Sequence, residues 1–263
     1  MMMFIPSIGN LAFQGTRFSP FIKVLNLTMI IAISIPFFII FCNYDKGNIA
    51  MLIKENFAWV WRQEFLEENS EEFKLYKAHS DNFICSLISG TPGFQAIYTP
   101  GGLLYKGSSS NLQYVTTTSF LLLTYAKYLN SNGENVVSCG TTTFTRHNII
   151  SLAKKQVDYI LGNNPTNMSY MVGFGDKYPK HIHHRGSSMP SIHNQTHKIS
   201  CNDGFQYFHS GSPNPNDLVG TIVGGPDSND NFSDDRNNYQ QSEPATYINA
   251  PFVGALAFFS SKP

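Results

Sequence analysis

The stretch Asn231 to Ala250 reads NFSDDRNNYQQSEPATYINA. It sets Asp234 and Glu243, two of its three carboxylates, among amides and aromatics. Pro244 follows Glu243, and the residue before a proline is pushed out of helical geometry toward an extended one. Glu243 is therefore expected outside a helix, at the start of one, with Pro244 in the first helical position. A carboxyl group projected from the edge of a rigid element suits a catalytic acid. The competing reading of the same residues is a helix-capping Glu beside a solvated Asp.

Starting at Phe232, the segment follows the pattern F-x-D-x4-Y-x3-E-x-A-x3-N-A. A second long motif lies upstream, Ser169 to Arg185, SYMVGFGDKYPKHIHHR, closing on His183 and Arg185. Together they resemble the two signatures of glycoside hydrolase family 9, the plant-type endo-β-1,4-glucanases. The resemblance runs from about Leu66 to the C-terminus. It includes YKAHSDNFICSLI, YTPGGLLYKGSSSNLQYVTTTSFLLLTYAKYL, SLAKKQVDYILGNNP and NAPFVGALAFFS. It implies an all-α fold, the (α/α)6 barrel, with helices in two concentric rings. Helices of about 12 residues with connections of about five or six need more chain than this. About six helices are expected, a partial barrel with long loops equivalent to the C-terminal half. Such a half would expose the apolar faces of inner helices.

Glycoside hydrolysis needs a proton donor on the leaving oxygen and a second carboxylate; in inverting enzymes the two stand roughly 6.5–9.5 Å apart. The resemblance implies inversion, with Glu243 as general acid. Burial beside Tyr239 and Tyr247 would help that carboxyl hold its proton, against the pull of a helix amino terminus. Asp234 is expected to orient a catalytic group or bind sugar hydroxyls. The family's base belongs to a D-A-G-D motif that this sequence lacks; Asp81 and Asp158 stand in other contexts. His183 is expected to donate to a sugar oxygen. Arg185 presents a rigid fork of donors for hydroxyls or a carboxylate. Tyr239 and Tyr247 are expected against substrate. A loop-stabilising network is the competing reading of the His183–Arg185 pair.

The net charge is zero and no basic tract points to nucleic acid. His181, His183, His184, His193 and His197 lie close together, but no H-E-x-x-H or paired Cys accompanies them. The acidic and amide residues from Asp227 to Asp235 do not follow an EF-hand spacing. No metal and no cofactor is expected; the expected partner is a β-1,4-glucan. Cys42, Cys85, Cys139 and Cys201 match no zinc pattern; one disulfide is compatible with them but its pairing is open. N-x-S/T sequons stand at Asn26, Asn167, Asn194 and Asn231.

Residues 24–44 carry no charge and include an apolar run about long enough to cross a bilayer, with Arg17 and Lys23 before it. Membrane anchor and cleaved signal peptide are the two readings of this segment. A third is a start foreign to the protein, since the resemblance fades upstream of Leu66. The expected organisation is an N-terminal segment 1–23, the apolar segment 24–44, and the C-terminal part of a catalytic domain over 45–263. The expected location is the cell wall or a secretory membrane.

Hydrophobic periodicity predicts helices over 71–88, 119–129, 147–161 and 252–259. Between them lie loops rich in Gly, Pro, Asn, Asp and Ser. The longest spans Cys201 to Tyr239, with a short strand expected around Thr221 to Val223. Two functions compete: an endo-acting β-glucan hydrolase, and an inactive glucan-binding remnant.

Overall fold

The structure, a computed structural model, describes residues 71–131 and 135–261. The apolar segment 24–44 lies outside them, as do the side chains of Phe73 and Tyr76, expected to face inward. Among the described residues no helix is long and apolar enough to cross a membrane.

Four long helices carry the core. These are α1 (Glu71–Leu87), α2 (Leu112–Ser131), α3 (Arg146–Ile160) and α7 (Thr246–Ser260). Three single turns precede the last: α4 (Arg185–Ser188), α5 (Gly204–Phe208) and α6 (Tyr239–Ser242). α2 runs against both α3 and α7. Leu122, Leu123, Ala126 and Leu129 of α2, Ile149, Ala153, Val157 and Ile160 of α3, and Ile248, Phe252 and Ala255 of α7 fill the space between them. The exposed inner-helix face expected of half a barrel is not seen on α2. It is buried along most of its length, including Thr116, Thr117, Thr118 and Ser119.

Helix boundaries depart from the sequence reading in two places. α2 begins at Leu112, ahead of Ser119, because its threonines are buried by tertiary packing that overrides their weak helix propensity. α7 begins at Thr246 and carries Pro251 inside, not before it. The ring removes one intrahelical donor there, yet the helix continues to Ser260.

Two small antiparallel hairpins were not anticipated: β1 (Ile97–Tyr98) with β2 (Leu104–Tyr105), and β3 (Val136–Cys139) with β4 (Thr142–Thr145). The second feeds α3 directly, where Thr145 caps the helix and Asn148 reaches back to close a capping box. A disulfide joins Cys85 at the end of α1 to Cys139 of β3, and Cys201 is free and exposed.

Candidate active site

The first motif is paired with the segment that leads into the second. Val172 N donates to Thr221 O at 2.9 Å, and Val223 N donates to Tyr170 O at 3.2 Å. Met171 faces Ile222 across this short antiparallel bridge. Asn249 in α7 locks the bridge in place. Its Oδ1 accepts from Ile222 N at 3.0 Å and its Nδ2 donates to Gly220 O at 2.8 Å. Next along the chain, Gly224 passes directly beneath α6, where an added Cβ would collide with the Gln240 carbonyl oxygen. Only glycine allows that approach.

The first motif then runs on to Asp234. Both Asp234 carboxylate oxygens accept from Lys180 N, at 3.0 and 3.1 Å, and Oδ1 also accepts from His181 N at 3.0 Å. His181 Nδ1 stands 3.1 Å from Oδ2, and its Nε2 stands 3.3 Å from Gly211 O. Asp234 sits at φ 45, in the left-handed region that Asp tolerates better than most residues. This carboxylate is committed to holding the 180–181 backbone.

His183 is held from three sides. Its N–H donates to Ser242 O at 3.1 Å, which seats it beside Glu243. Its Nδ1 lies 2.7 Å from Arg236 O, an acceptor, so Nδ1 carries a proton. The ring meets Phe208 edge-on at 5.2 Å and is tilted against Tyr239 at 5.9 Å.

Glu243 takes the extended geometry that Pro244 demands, φ −80 and ψ 123. Its placement differs from the expected one. It closes α6, its N–H donating to Tyr239 O at 3.0 Å, while Ala245 supplies the N-cap of α7. Pro244 thus ends one turn instead of opening the next helix. Glu243 is exposed, not buried between Tyr239 and Tyr247. Its charge, after burial itself, helps push the Tyr247 hydroxyl above its ordinary range. Tyr239 is half exposed. Arg185, also exposed, opens α4 and lies 4.3 Å above the Phe205 ring.

The sequence reading missed the residue at the centre of this arrangement. Arg236 is buried, and its guanidinium meets no carboxylate among the described residues. Nε and Nη2 donate to Asn214 Oδ1 at 2.9 and 2.6 Å, Nη1 donates to the carbonyls of Phe208 and Ser210 at 2.8 and 2.7 Å, and Nη2 donates to Ser212 O at 2.8 Å. Burial lowers its pKa, while the nearby charges of Asp234 and Asp235 oppose that shift. Asn214 passes the linkage back to the first motif, its Nδ2 donating to Ile182 O at 3.0 Å and Ser187 Oγ at 2.8 Å. Among the described residues no group of three His, Cys, Asp or Glu side chains is placed to hold a metal.

The glycosyl hydrolase family 9 profile matches residues 38–256. The chain belongs to this family. The match begins well upstream of Leu66, where the resemblance read from sequence faded. Endoglucanase 1 of Persea americana is 71% identical over 199 residues, which is 76% of this chain and 40% of that protein. The chain therefore spans less than half the length of such relatives. Among solved structures, an endoglucanase of the termite Nasutitermes takasagoensis superposes with a TM-score of 0.59 at 29% identity, covering 78% of this chain and 40% of that one. The cellulase Cel9M of C. cellulolyticum, solved with cellobiose, gives 0.55 at 32% identity, covering 77% and 38%. These family 9 relatives have the (α/α)6 barrel fold, and the helices here form part of it.

Within the family 9 motif, Arg236 follows two aspartates. Nothing in the sequence signals that its partners are carbonyls from residues 208–212. Gln241 was equally hidden. It is buried, accepts from Ser233 N at 3.0 Å and donates to Asn231 O at 2.9 Å, fastening the Asp234 segment to α6.

Proposed function

We propose that this chain is the acid-bearing part of an endo-acting β-1,4-glucan hydrolase, with Glu243 protonating the departing glycosidic oxygen. The supporting observation is the bond from His183 N to Ser242 O, which brings the end of one motif against the backbone next to Glu243 of the other. His183, Arg185, Tyr239 and Tyr247 are the proposed contacts to sugar, and Asp234 positions the loop that carries His183. The cellobiose bound to Cel9M supports a β-1,4-glucan as ligand. Hydrolysis with inversion then requires a second carboxylate on the opposite face of the sugar, activating water. The D-A-G-D motif that carries it in the family is not in this sequence. We also propose a secretory route, directed by the apolar segment 24–44 and supported by the Cys85–Cys139 disulfide, which belongs to an oxidising compartment.

The missing aspartates favour a second reading, glucan binding without turnover. General-base assistance typically contributes 10²–10⁴-fold, so its loss can silence a chain that still binds. Release of reducing ends from a soluble cellulose derivative by the full chain, beside Glu243→Gln, separates the two. Hydrolysis that disappears in the variant supports the enzyme. Hydrolysis that survives it removes Glu243 from the acid role. Binding of cellotetraose by both proteins without cleavage establishes the second reading.

A further inference from the structure

We infer that Asn194 is an N-glycosylation site whose glycan covers an exposed apolar turn. The sequon Asn194-Gln195-Thr196 lies on the surface, with Asn194 and Thr196 both exposed. The turn is firmly built. Asn194 N and Gln195 N both donate to Ser191 O at 3.0 Å, and Gln195 Oε1 accepts from the Tyr207 hydroxyl at 2.7 Å. The Asn194 amide itself makes no hydrogen bond among the described residues, so its nitrogen is free to be substituted. Ile192, on the same turn, is 76% exposed, more than any other large hydrophobic side chain among the described residues. A sugar attached two residues away would lay its apolar faces over it.

The other described sequons are less open. Asn231 Nδ2 donates to Asp227 Oδ2 at 3.2 Å, and the Ser233 hydroxyl of its sequon donates to Gln241 at 3.1 Å within the candidate site. Asn167 is exposed, but its sequon residue Ser169 is buried and bonded to Met171 O at 3.1 Å. In the transfer, Asn194 Nδ2 attacks the anomeric carbon of a lipid-pyrophosphate-linked oligosaccharide. A carbon–nitrogen bond forms and the sugar–phosphate bond breaks. The lipid pyrophosphate leaves with the electron pair, and the amide gives up one proton.

The inference rests on the proposed secretory route, and one experiment distinguishes the two. The full chain, with its own N-terminus, is expressed in plant cells. Peptides are released from glycan enzymatically in heavy-oxygen water, and the thiol state of Cys85 and Cys139 is recorded by mass. Heavy-oxygen aspartate at position 194, with loss of one glycan in both Asn194→Gln and Thr196→Ala, is the expected result. Glycan at Asn167 or Asn231 with position 194 unmodified overturns the site and leaves the route standing. No glycan together with free thiols at Cys85 and Cys139 overturns both. No glycan with the disulfide formed overturns the site alone.

Discussion

Replacing Arg236 by Met removes the guanidinium but keeps much of the buried side-chain volume. Four acceptors then lose their donors: the carbonyls of Phe208, Ser210 and Ser212, and Asn214 Oδ1. A buried acceptor left unsatisfied costs about 1–3 kcal/mol. Against that total stands the relief of no longer desolvating a cation, itself several kcal/mol. The net expected loss is about 3 kcal/mol. For a domain of this size that corresponds to a melting point lower by roughly 6–12 °C. Arg236→Lys should fall between the parent and Met, because an ammonium has three donors at one point and cannot span the separated acceptors. Thermal unfolding followed by circular dichroism reads the stability. A nitrogen-15 spectrum of the imidazoles reads whether His183 keeps its Nδ1 proton on Arg236 O. That bond goes to the main chain, so it should survive in the Lys variant if the loop stays in place. A Met variant melting within 2 °C of the parent, an order-of-magnitude threshold set by the estimate above, would show that the 207–214 segment stands without Arg236, and the argument for a central hub would fail.

Serine at both Cys85 and Cys139 opens a bridge spanning 54 residues, with an expected cost of about 4 kcal/mol on the chain-entropy account; chemical denaturation of the double variant beside the parent measures it, and an unchanged midpoint would refute the linkage. Burial pushes Tyr98 and Tyr170 up to about 12 from an ordinary 10.0. Because the folded value is the higher one, their contribution is fully present below pH 10 and is lost as pH rises through about 12, with roughly 3 kcal/mol at stake for Tyr170. Stability measured from pH 9 to 12 should fall, less steeply in Tyr170→Phe. Asp234→Ala removes the acceptor for Lys180 N and His181 N and should cost about 2–3 kcal/mol, charged hydrogen bonds being worth 1.5–3 each. Asp234→Asn, which keeps one acceptor oxygen, should cost less; equal losses in urea titration would show that charge alone matters there.

Much of the fold was legible because helices announce themselves by period. Ile149, Ala153, Val157 and Ile160 recur at helical spacing, and α3 lies within a residue of its expected limits at either end. α2 was cut short in the reading because Thr116 to Thr118 look polar in sequence, yet each is buried. The β3–β4 hairpin did leave a signal that was passed over. Gly140-Thr141 separates V-V-S-C from T-T-F-T, and Gly140 at φ 67 takes the positive angle that a type II′ turn places at its first position. The pairing of the disulfide was not legible, since α1 and β3 meet only in the folded chain. Of the candidate site, the residue types were legible and the partners were not. Asp234 and His183 stood out as chemistry-bearing, but that one is spent on the 180–181 backbone and the other on Arg236 O depends on a turn between motifs.

That distinction bears on how the proposed acid is held. Glu243 lies in an extended link between α6 and α7, and neither helix fixes it alone. Its position follows from contacts to its neighbours: Ser242 O accepts from His183 N, Gln240 O accepts from Ser110 N at 2.8 Å, and Gln241 O accepts from Gly225 N at 3.0 Å. Three separate segments thus clamp the backbone of α6 while the Glu243 side chain stays exposed. An exposed carboxyl on a clamped backbone fits a group that must reach a polysaccharide lying outside the core. It also means that the surroundings of the carboxyl are completed by whatever covers it, substrate included. Solvent exposure of the Glu243 carboxyl should therefore differ between the free chain and the chain saturated with cellotetraose. The carbon-13 shift of that carboxyl in both states tests this, and an unchanged shift would show that the ligand does not cover Glu243.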